Sequence, residues 1–438
     1  MDMDQPPVRE LSPSARREEP EVTPDEAAPR TAVTGDGVLH GKRWKLVLLL
    51  GALVAIGPLT TDMYLPALPA ISDQLHAGAA AVQLTLTATL AGLALGQLLV
   101  GPLSDAVGRR LPLLVGVAVH IVASALCSVA PNLALLDVLR VVQGLGAATS
   151  TVITMAIVRD LYDGSAAATL LSRLMLVLGV APILAPTIGG AVLAGTSWRG
   201  IFLLMALLSL VIILITARAL PETLPVERRR SGGVRNSMRD YGQLLHDRVF
   251  IGLILLAGLA MSTIFAFVSG SPFVFQDHFG LSEQQFALVF GSGSIWVIVA
   301  TQLNVRLLRR WSPMRVLVTA VIAATAAGVL LLALSAADIG GMTGVLLPLW
   351  LALFATGFAM PNAPALALSR HGHFAGTAAA LLGAVQFGIG ALTAPVVGLI
   401  GTGPAAMAGV ITGGLVIGLL VLVTLVRPWQ HPATTDTH

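Results

Sequence analysis

"GQLLVGPLSDAVGRRLPLL", residues 96–114, leaves one apolar run and enters the next through a polar turn of a few residues. Its punctuation is Gly101-x3-Asp105-x2-Gly108-Arg109-Arg110. Asp105 and Arg109 stand four apart, close enough to pair on a helix face, and Asp105 can also face a helix N-terminus. Gly101 allows a second helix to approach closely. Apolar segments joined so tightly read as consecutive membrane helices, because in lipid a spanning segment must satisfy its own backbone hydrogen bonds.

Outward from this turn the pattern recurs. Of 438 residues, 55% are hydrophobic and 11% charged, with a mean hydropathy of +0.84. A soluble domain would carry about a quarter charged residues. Segments long enough to span are expected at 46–69, 81–103, 111–130, 133–156, 167–194, 199–219, 250–272, 284–304, 315–336, 343–368, 374–400 and 404–426. Ten-residue alternating segments are lacking, which excludes a closed barrel. The fold class is therefore all-α integral membrane protein, with twelve transmembrane helices.

Of the 26 Lys and Arg, all but Arg140 and Arg199 lie in the tails or the even-numbered loops and their flanks. That one-sidedness predicts cytoplasmic termini. It also assigns the net charge of +3 to topology, so no nucleic-acid partner is expected. Residues 1–41 are too polar to bury a core and are expected to be a disordered cytoplasmic tail. Two six-helix bundles are expected at 42–220 and 250–427, joined by a cytoplasmic loop at 221–249 and followed by a tail at 428–438. No signal peptide is visible, so the first helix is expected to serve as the insertion signal. An internal echo supports a repeat. "QLNVRLLRRWSPMRVL" (302–317) follows the eighth helix as residues 101–114 follow the second, keeping the arginines and the turn proline but no aspartate.

Several chemistries find no support. The single cysteine, Cys127, allows no intrachain disulfide or cysteine metal site, and it reads as a small core residue. No G-x-x-x-x-G-K-[ST] loop exists, so ATP drives nothing here and no cofactor is expected. "HGH" (371–373) reads as a solvated turn, and no Ser/His/Asp arrangement suggests an enzyme.

Residues 96–114 resemble the loop 2–3 signature of the major facilitator superfamily (MFS), whose secondary transporters have twelve helices in two pseudo-symmetric halves. The family form usually has a basic residue after the aspartate, where this chain has Ala106. The resemblance implies a conformational latch of Gly101, Asp105, Gly108 and Arg109, set against the start of the eleventh helix near Phe374. "RVVQGLGAA" (140–148) resembles the fourth-helix motif of drug–proton antiporters, with Arg140, Gln143, Gly144 and Gly146 in matching places. "GVAPILAPTIGG" (179–190) resembles their fifth-helix antiporter motif, keeping Pro186, Gly189 and Gly190 but with Ala185 where glycine usually precedes the proline. Small residues and proline there permit close packing and a kink, and the resemblance places them in the conformational switch. "TDMYLPALP" (61–69), "APTIGG" (185–190), "SWRGIF" (197–202) and "GTAAALLGAVQFGIGAL" (376–392) together resemble the Bcr/CflA group of multidrug-resistance transporters. The resemblance covers roughly residues 45–427 and implies a multi-pass protein of the bacterial plasma membrane.

Two acids fall deep within predicted helices, Asp62 and Asp137. Helix 1 runs outward, which puts Asp62 about 10 Å below the outer boundary at 1.5 Å per residue; Arg140 on helix 4 reaches a similar depth. In the superfamily fold both helices line the central cavity. A carboxyl in a partly dry cavity favours its neutral form, and a neighbouring guanidinium opposes that. Asp62 is thus the expected proton-coupling residue, tuned by Arg140. The alternatives are a fixed Asp62–Arg140 pair that only orders the helices, and direct contact of Arg140 with substrate. Asp137 is expected at the rim, paired with Arg140. Substrate contacts are expected from Asp62, Met63, Tyr64, Arg140, Gln143, Phe265, Phe358 and Gln386, within a soft surface that also includes Phe267, Phe290, Trp296, Phe354, Met360 and Phe387. Some cation-extruding relatives carry a second carboxylate two turns earlier; here "LVAIGPL" (53–59) has none. The reading is a monomeric, proton-driven exporter of small, largely apolar drugs or metabolites, whose partners are substrate, protons and the bilayer. The alternative is a proton-coupled importer or uniporter of a small metabolite on the same fold.

Overall fold

The computed structural model describes residues 43–162, 164–229, 241–371 and 375–428. The expectations for 1–41, for the tail beyond 428 and for a helix start near Phe374 lie outside them. The chain divides into two units, Met1–Lys45 and Leu46–His438, and the second holds the helical bundle.

Twelve helices among the described residues are long and apolar enough to cross a membrane: α1 Trp44–Gln74, α2 Ala79–Val107, α3 Arg110–Cys127, α4 Leu133–Leu161, α5 Thr169–Leu193, α6 Trp198–Ala219, α7 Arg248–His278, α8 Glu283–Leu307, α9 Pro313–Ala336, α10 Gly341–Ser369, α11 Gly376–Ile400 and α12 Pro404–Val426. Each overlaps its predicted segment, because hydropathy over about twenty residues is a local property that lipid reads directly.

The packing repeats with a shift of six helices. In the first half α2 packs on α4, α4 on α3 and α3 on α6; in the second α8 packs on α10, α10 on α9 and α9 on α12. The halves meet along α2–α11 and α5–α8, which the same shift exchanges. The fold is two pseudo-symmetric six-helix bundles.

Glycines set the closest approaches. A Cβ at Gly92 would overlap the Val141 carbonyl, and one at Gly144 the Thr89 carbonyl, so α2 and α4 touch backbone to backbone. Gly101, expected to serve such an approach, does not: a Cβ there would meet only Val152 Cγ1 at 4.0 Å. The tight α2–α4 contact lies nearer the helix middles.

Proline breaks α1 where the function is expected. The α-helix runs to Asp62, a 3-10 turn occupies Leu65–Ala67, and helix resumes at Leu68–Gln74. Pro66 has no N–H to give the Asp62 carbonyl, so the regular hydrogen-bond ladder ends there. Its last rung is Met63 N–H to Leu59 O, 3.2 Å.

Candidate functional site

The break in α1 leaves the Thr60 carbonyl without a helical donor, and a helix C-terminus attracts cations. Arg140 supplies both needs. Its Nη1 donates to Thr60 O (3.0 Å) and to Gln143 Oε1 (2.6 Å), and the guanidinium lies 4.0 Å over the Tyr64 ring. Tyr64 in turn hydrogen-bonds Thr85 on α2 through its hydroxyl, 3.2 Å. Arg140, Met63, Tyr64 and Gln143 are all fully buried.

This corrects the expected pairing. No Asp62–Arg140 or Asp137–Arg140 ion pair forms among the described residues, because Arg140 is turned onto the α1 backbone instead. Tyr64 and Gln143 hold the guanidinium and Met63 is packed, so in this conformation none of the three offers a substrate-facing surface. Among the described residues, two guanidinium nitrogens, Nε and Nη2, and the Oδ1 of half-buried Asp137 have no hydrogen-bond partner.

Asp62 is buried, 6% exposed. The hydroxyl of the neighbouring Thr61 is aimed at the carbonyls of Pro58 (3.2 Å) and Gly57 (3.4 Å). On the other side, a Cβ at Gly189 would overlap the Met63 carbonyl. Helix α5 therefore rests directly on the Asp62 turn at a glycine of the fifth-helix motif. Pro186, one turn earlier, and Gly190 are buried too.

A second residue, which sequence reading passed over, holds the same turn. His120 on α3 is buried, with Nε2 2.9 Å from Thr60 Oγ1 and Nδ1 3.1 Å from Ser209 Oγ on α6. Thr60 spends its hydroxyl proton on the Ile56 carbonyl, 2.6 Å. So Nε2 carries the imidazole proton and Nδ1 accepts from Ser209. Gln143 Nε2 donates to Ser124 Oγ (2.7 Å), which donates to the His120 carbonyl (2.7 Å). The turn at 60–64 is thus tied to α3, α4 and α6. A lone histidine in "VGVAVHIVAS" was the available signal.

The α2–α3 turn is built as the spacing predicts and carries more than it predicts. Gly108 ends α2 at φ +110, a conformation that side chains rarely adopt. Arg109 pairs with Asp105 (2.6 Å), and its Nη1 also reaches Ser104 Oγ (2.7 Å). Its Nε pairs with Asp160 on α4 (2.9 Å). Burial works against that charge, but Asp160 and Asp105 hold the Arg109 guanidinium above its ordinary value. Glu222, beyond α6, accepts the backbone N–H groups of Arg109 (2.8 Å), Arg110 (3.2 Å), Thr223 (3.0 Å) and Leu224 (3.0 Å). Partial burial opposes ionisation, yet these amides hold the Glu222 carboxyl below its usual range. Neither Asp160 nor Glu222 was singled out from sequence, since each joins the turn from a distant helix end.

At the end of the bundle opposite the termini, side chains bolt the two halves together. Gln83 on α2 is fully buried; its Nε2 donates to the Ser269 carbonyl of α7 (3.0 Å) and its Oε1 accepts from Gly398 N–H of α11 (2.8 Å). Gln276 Nε2 donates to the Pro66 carbonyl (3.3 Å). Gln83 carried the same signal as Gln143 and Gln386, an amide in an apolar run.

The expected aromatic surface falls into separate groups. Phe265 meets Phe387 (6.3 Å), Phe267 stacks on Phe290 (4.9 Å), and Phe358 stands edge-on to Phe354 (5.1 Å), which meets Trp296 (6.0 Å). Phe265 is buried, while Phe358 and Gln386 are half-buried.

Twelve apolar helices in two matched bundles, joined across their seam by buried side chains, define a membrane transporter. The family model of the Major Facilitator Superfamily matches residues 48–395, and the chain belongs to that family. It is 37% identical to the uncharacterized MFS-type transporter YdgK of Bacillus subtilis, over 88% of this chain and 96% of that one. It is 30% identical to the bicyclomycin resistance protein homolog of Haemophilus influenzae, over 79% and 87%. To the multidrug resistance protein MdtL of Escherichia coli it is 29% identical, over 88% and 96%. Among solved structures, the xylose transporter XylE from E. coli, in a partially occluded inward-open conformation, shares the fold with a TM-score of 0.68 and 13% identity, covering 90% of this chain and 99% of that one. The protein is a multi-pass cell-membrane transporter, not an enzyme.

Proposed function

We propose that this transporter is a proton-driven exporter of small, largely apolar compounds, and that Asp62 is its proton-coupling carboxylate. The observation that carries the reading is the placement of Asp62. A carboxyl taken out of water needs a counter-charge or a proton. Arg140 is committed to the Thr60 carbonyl and makes no ion pair with Asp62 among the described residues, which supports this role over that of a fixed ion pair. The carboxyl sits on a helix break gripped by Arg140 and His120 before it and by Gly189 after it. Any rearrangement of α4 or α5 would be felt at that turn.

The cycle we propose is alternating access. The halves, dividing at 221–249 with both termini cytoplasmic, rock about the α2–α11 and α5–α8 seams. The Gln83 and Gln276 bonds support reading the described conformation as closed on the outer side. Opening that side releases cargo outward and lets external protons reach Asp62; returning delivers the proton inward as fresh cargo binds. The similarity to relatives named for bicyclomycin and multidrug resistance supports drugs or drug-like metabolites as cargo. Substrate contacts at Asp62, Phe265, Phe358 and Gln386, and action as a monomer, belong to this proposal.

The test is substrate-induced proton release in inverted vesicles, with Asp62→Asn as the variant. Loss of coupled release at saturating substrate is the expected result. Unchanged release would reject the assignment, and net accumulation of the compound in intact cells would reject export.

A further inference from the structure

We infer that Arg306, Arg309, Arg310 and Arg315, at the α8–α9 turn, form a docking site for the phosphate headgroup of an anionic phospholipid. Pseudo-symmetry supplies the argument. The α2–α3 turn is the first copy of this feature, and there Arg109 is consumed: buried, and bound by Asp105, Asp160 and Ser104. Arg110 there donates to the Ala217 carbonyl, 2.7 Å.

The second copy has lost that chemistry. No Asp or Glu occurs between Glu283 and Asp338, and the position of the paired carboxylate has no acidic replacement. All four arginines are exposed, and their side chains make no hydrogen bond or ion pair among the described residues. Orienting the chain in a membrane needs only the charges, and in the first copy that of Arg109 is neutralised by carboxylates. The second copy leaves four guanidinium forks free at a helix end, where lipid phosphates lie. Arginine forks match phosphate oxygens two at a time.

Two further features commit the site to lipid. Trp311, inside the cluster, is 46% exposed, and Val305 and Leu308 beside it are 59% and 39% exposed. An indole at the headgroup level with apolar neighbours below fits the amphipathic boundary of a bilayer. Clustered arginines next to a membrane helix attract anionic lipid.

The experiment uses the full chain in phosphatidylcholine nanodiscs doped with phosphatidylglycerol, followed by native mass spectrometry of retained lipid. The unaltered protein should retain phosphatidylglycerol in preference to phosphatidylcholine. The R309Q/R310Q variant should lose about five-fold in that retention for each arginine removed. The charge-matched R159Q/R218Q variant, altered at exposed arginines elsewhere, should keep it. Equal retention of the two lipids, or equal loss in both variants, would overturn the site. Displacement of phosphatidylglycerol by millimolar inorganic phosphate would overturn lipid as the occupant in favour of a free anion.

Discussion

Replacing Gln83 by Met tests whether the outer closure rests on one side chain. Methionine keeps the length and fills the space, but it can neither donate to the Ser269 carbonyl at 3.0 Å nor accept from Gly398 N–H at 2.8 Å. Both bonds cross between the halves; the one to Ser269 is buried and the one from Gly398 part-buried. At about 1 kcal/mol net for each hydrogen bond, the closed form loses about 2 kcal/mol, or roughly 30-fold in its population relative to an outward-open form. The loss is one-sided because opening exposes both backbone groups to water, which replaces the glutamine. Spin labels at Gly78→Cys and Gln284→Cys report the separation. Gly78 is exposed with nothing near a new Cβ, Gln284 is exposed on α8, and native Cys127 is too buried to label. Double electron–electron resonance should show a longer distance gaining weight in the variant. A distribution unchanged from that of the Gln83 protein would remove this residue from the gate and leave the closure to apolar packing and the Gln276 bond.

Gly189→Ala should cost about 1–3 kcal/mol and abolish efflux, since the new methyl overlaps the Met63 carbonyl; Gly101→Ala, with 4.0 Å of room, should melt and transport nearly as the parent does. Thermal melting and vesicle transport compare the two. His120→Phe deletes the bonds to Thr60 and Ser209 and should destabilise by about 2–3 kcal/mol, read as a lowered melting temperature with the helix content intact. Glu222 is held below its ordinary range in the folded chain, so its contribution is present above the unfolded glutamate value of about 4.3 and is lost as pH falls through the lower folded value. Glu222→Gln should therefore flatten the fall in melting temperature between pH 6 and 3; an identical fall in both proteins would contradict the amide cluster as its cause.

The twelve spans, the helix order and the Asp105–Arg109 turn were legible in the chain because each depends on neighbours within about twenty residues. Lipid reads hydropathy segment by segment, and a turn between two helices brings its own pair together. The break after Asp62 was not read, since 46–69 was expected to be one helix, although Pro66 was its signal. Nor was what Arg140 binds legible. Thr60 lies eighty residues away, and its carbonyl became an acceptor only when α1 broke beside it. Asp160 and Glu222 reach Arg109 from other helix ends, His120 meets Thr60 across α1 and α3, and Gln83 finds its partners in the opposite half. Sequence thus determined which segments enter the membrane and which buried polar groups would need partners. The partners themselves were decided by tertiary structure, because the free energy of a buried donor depends on whichever acceptor the packed helices bring within about 3 Å of it.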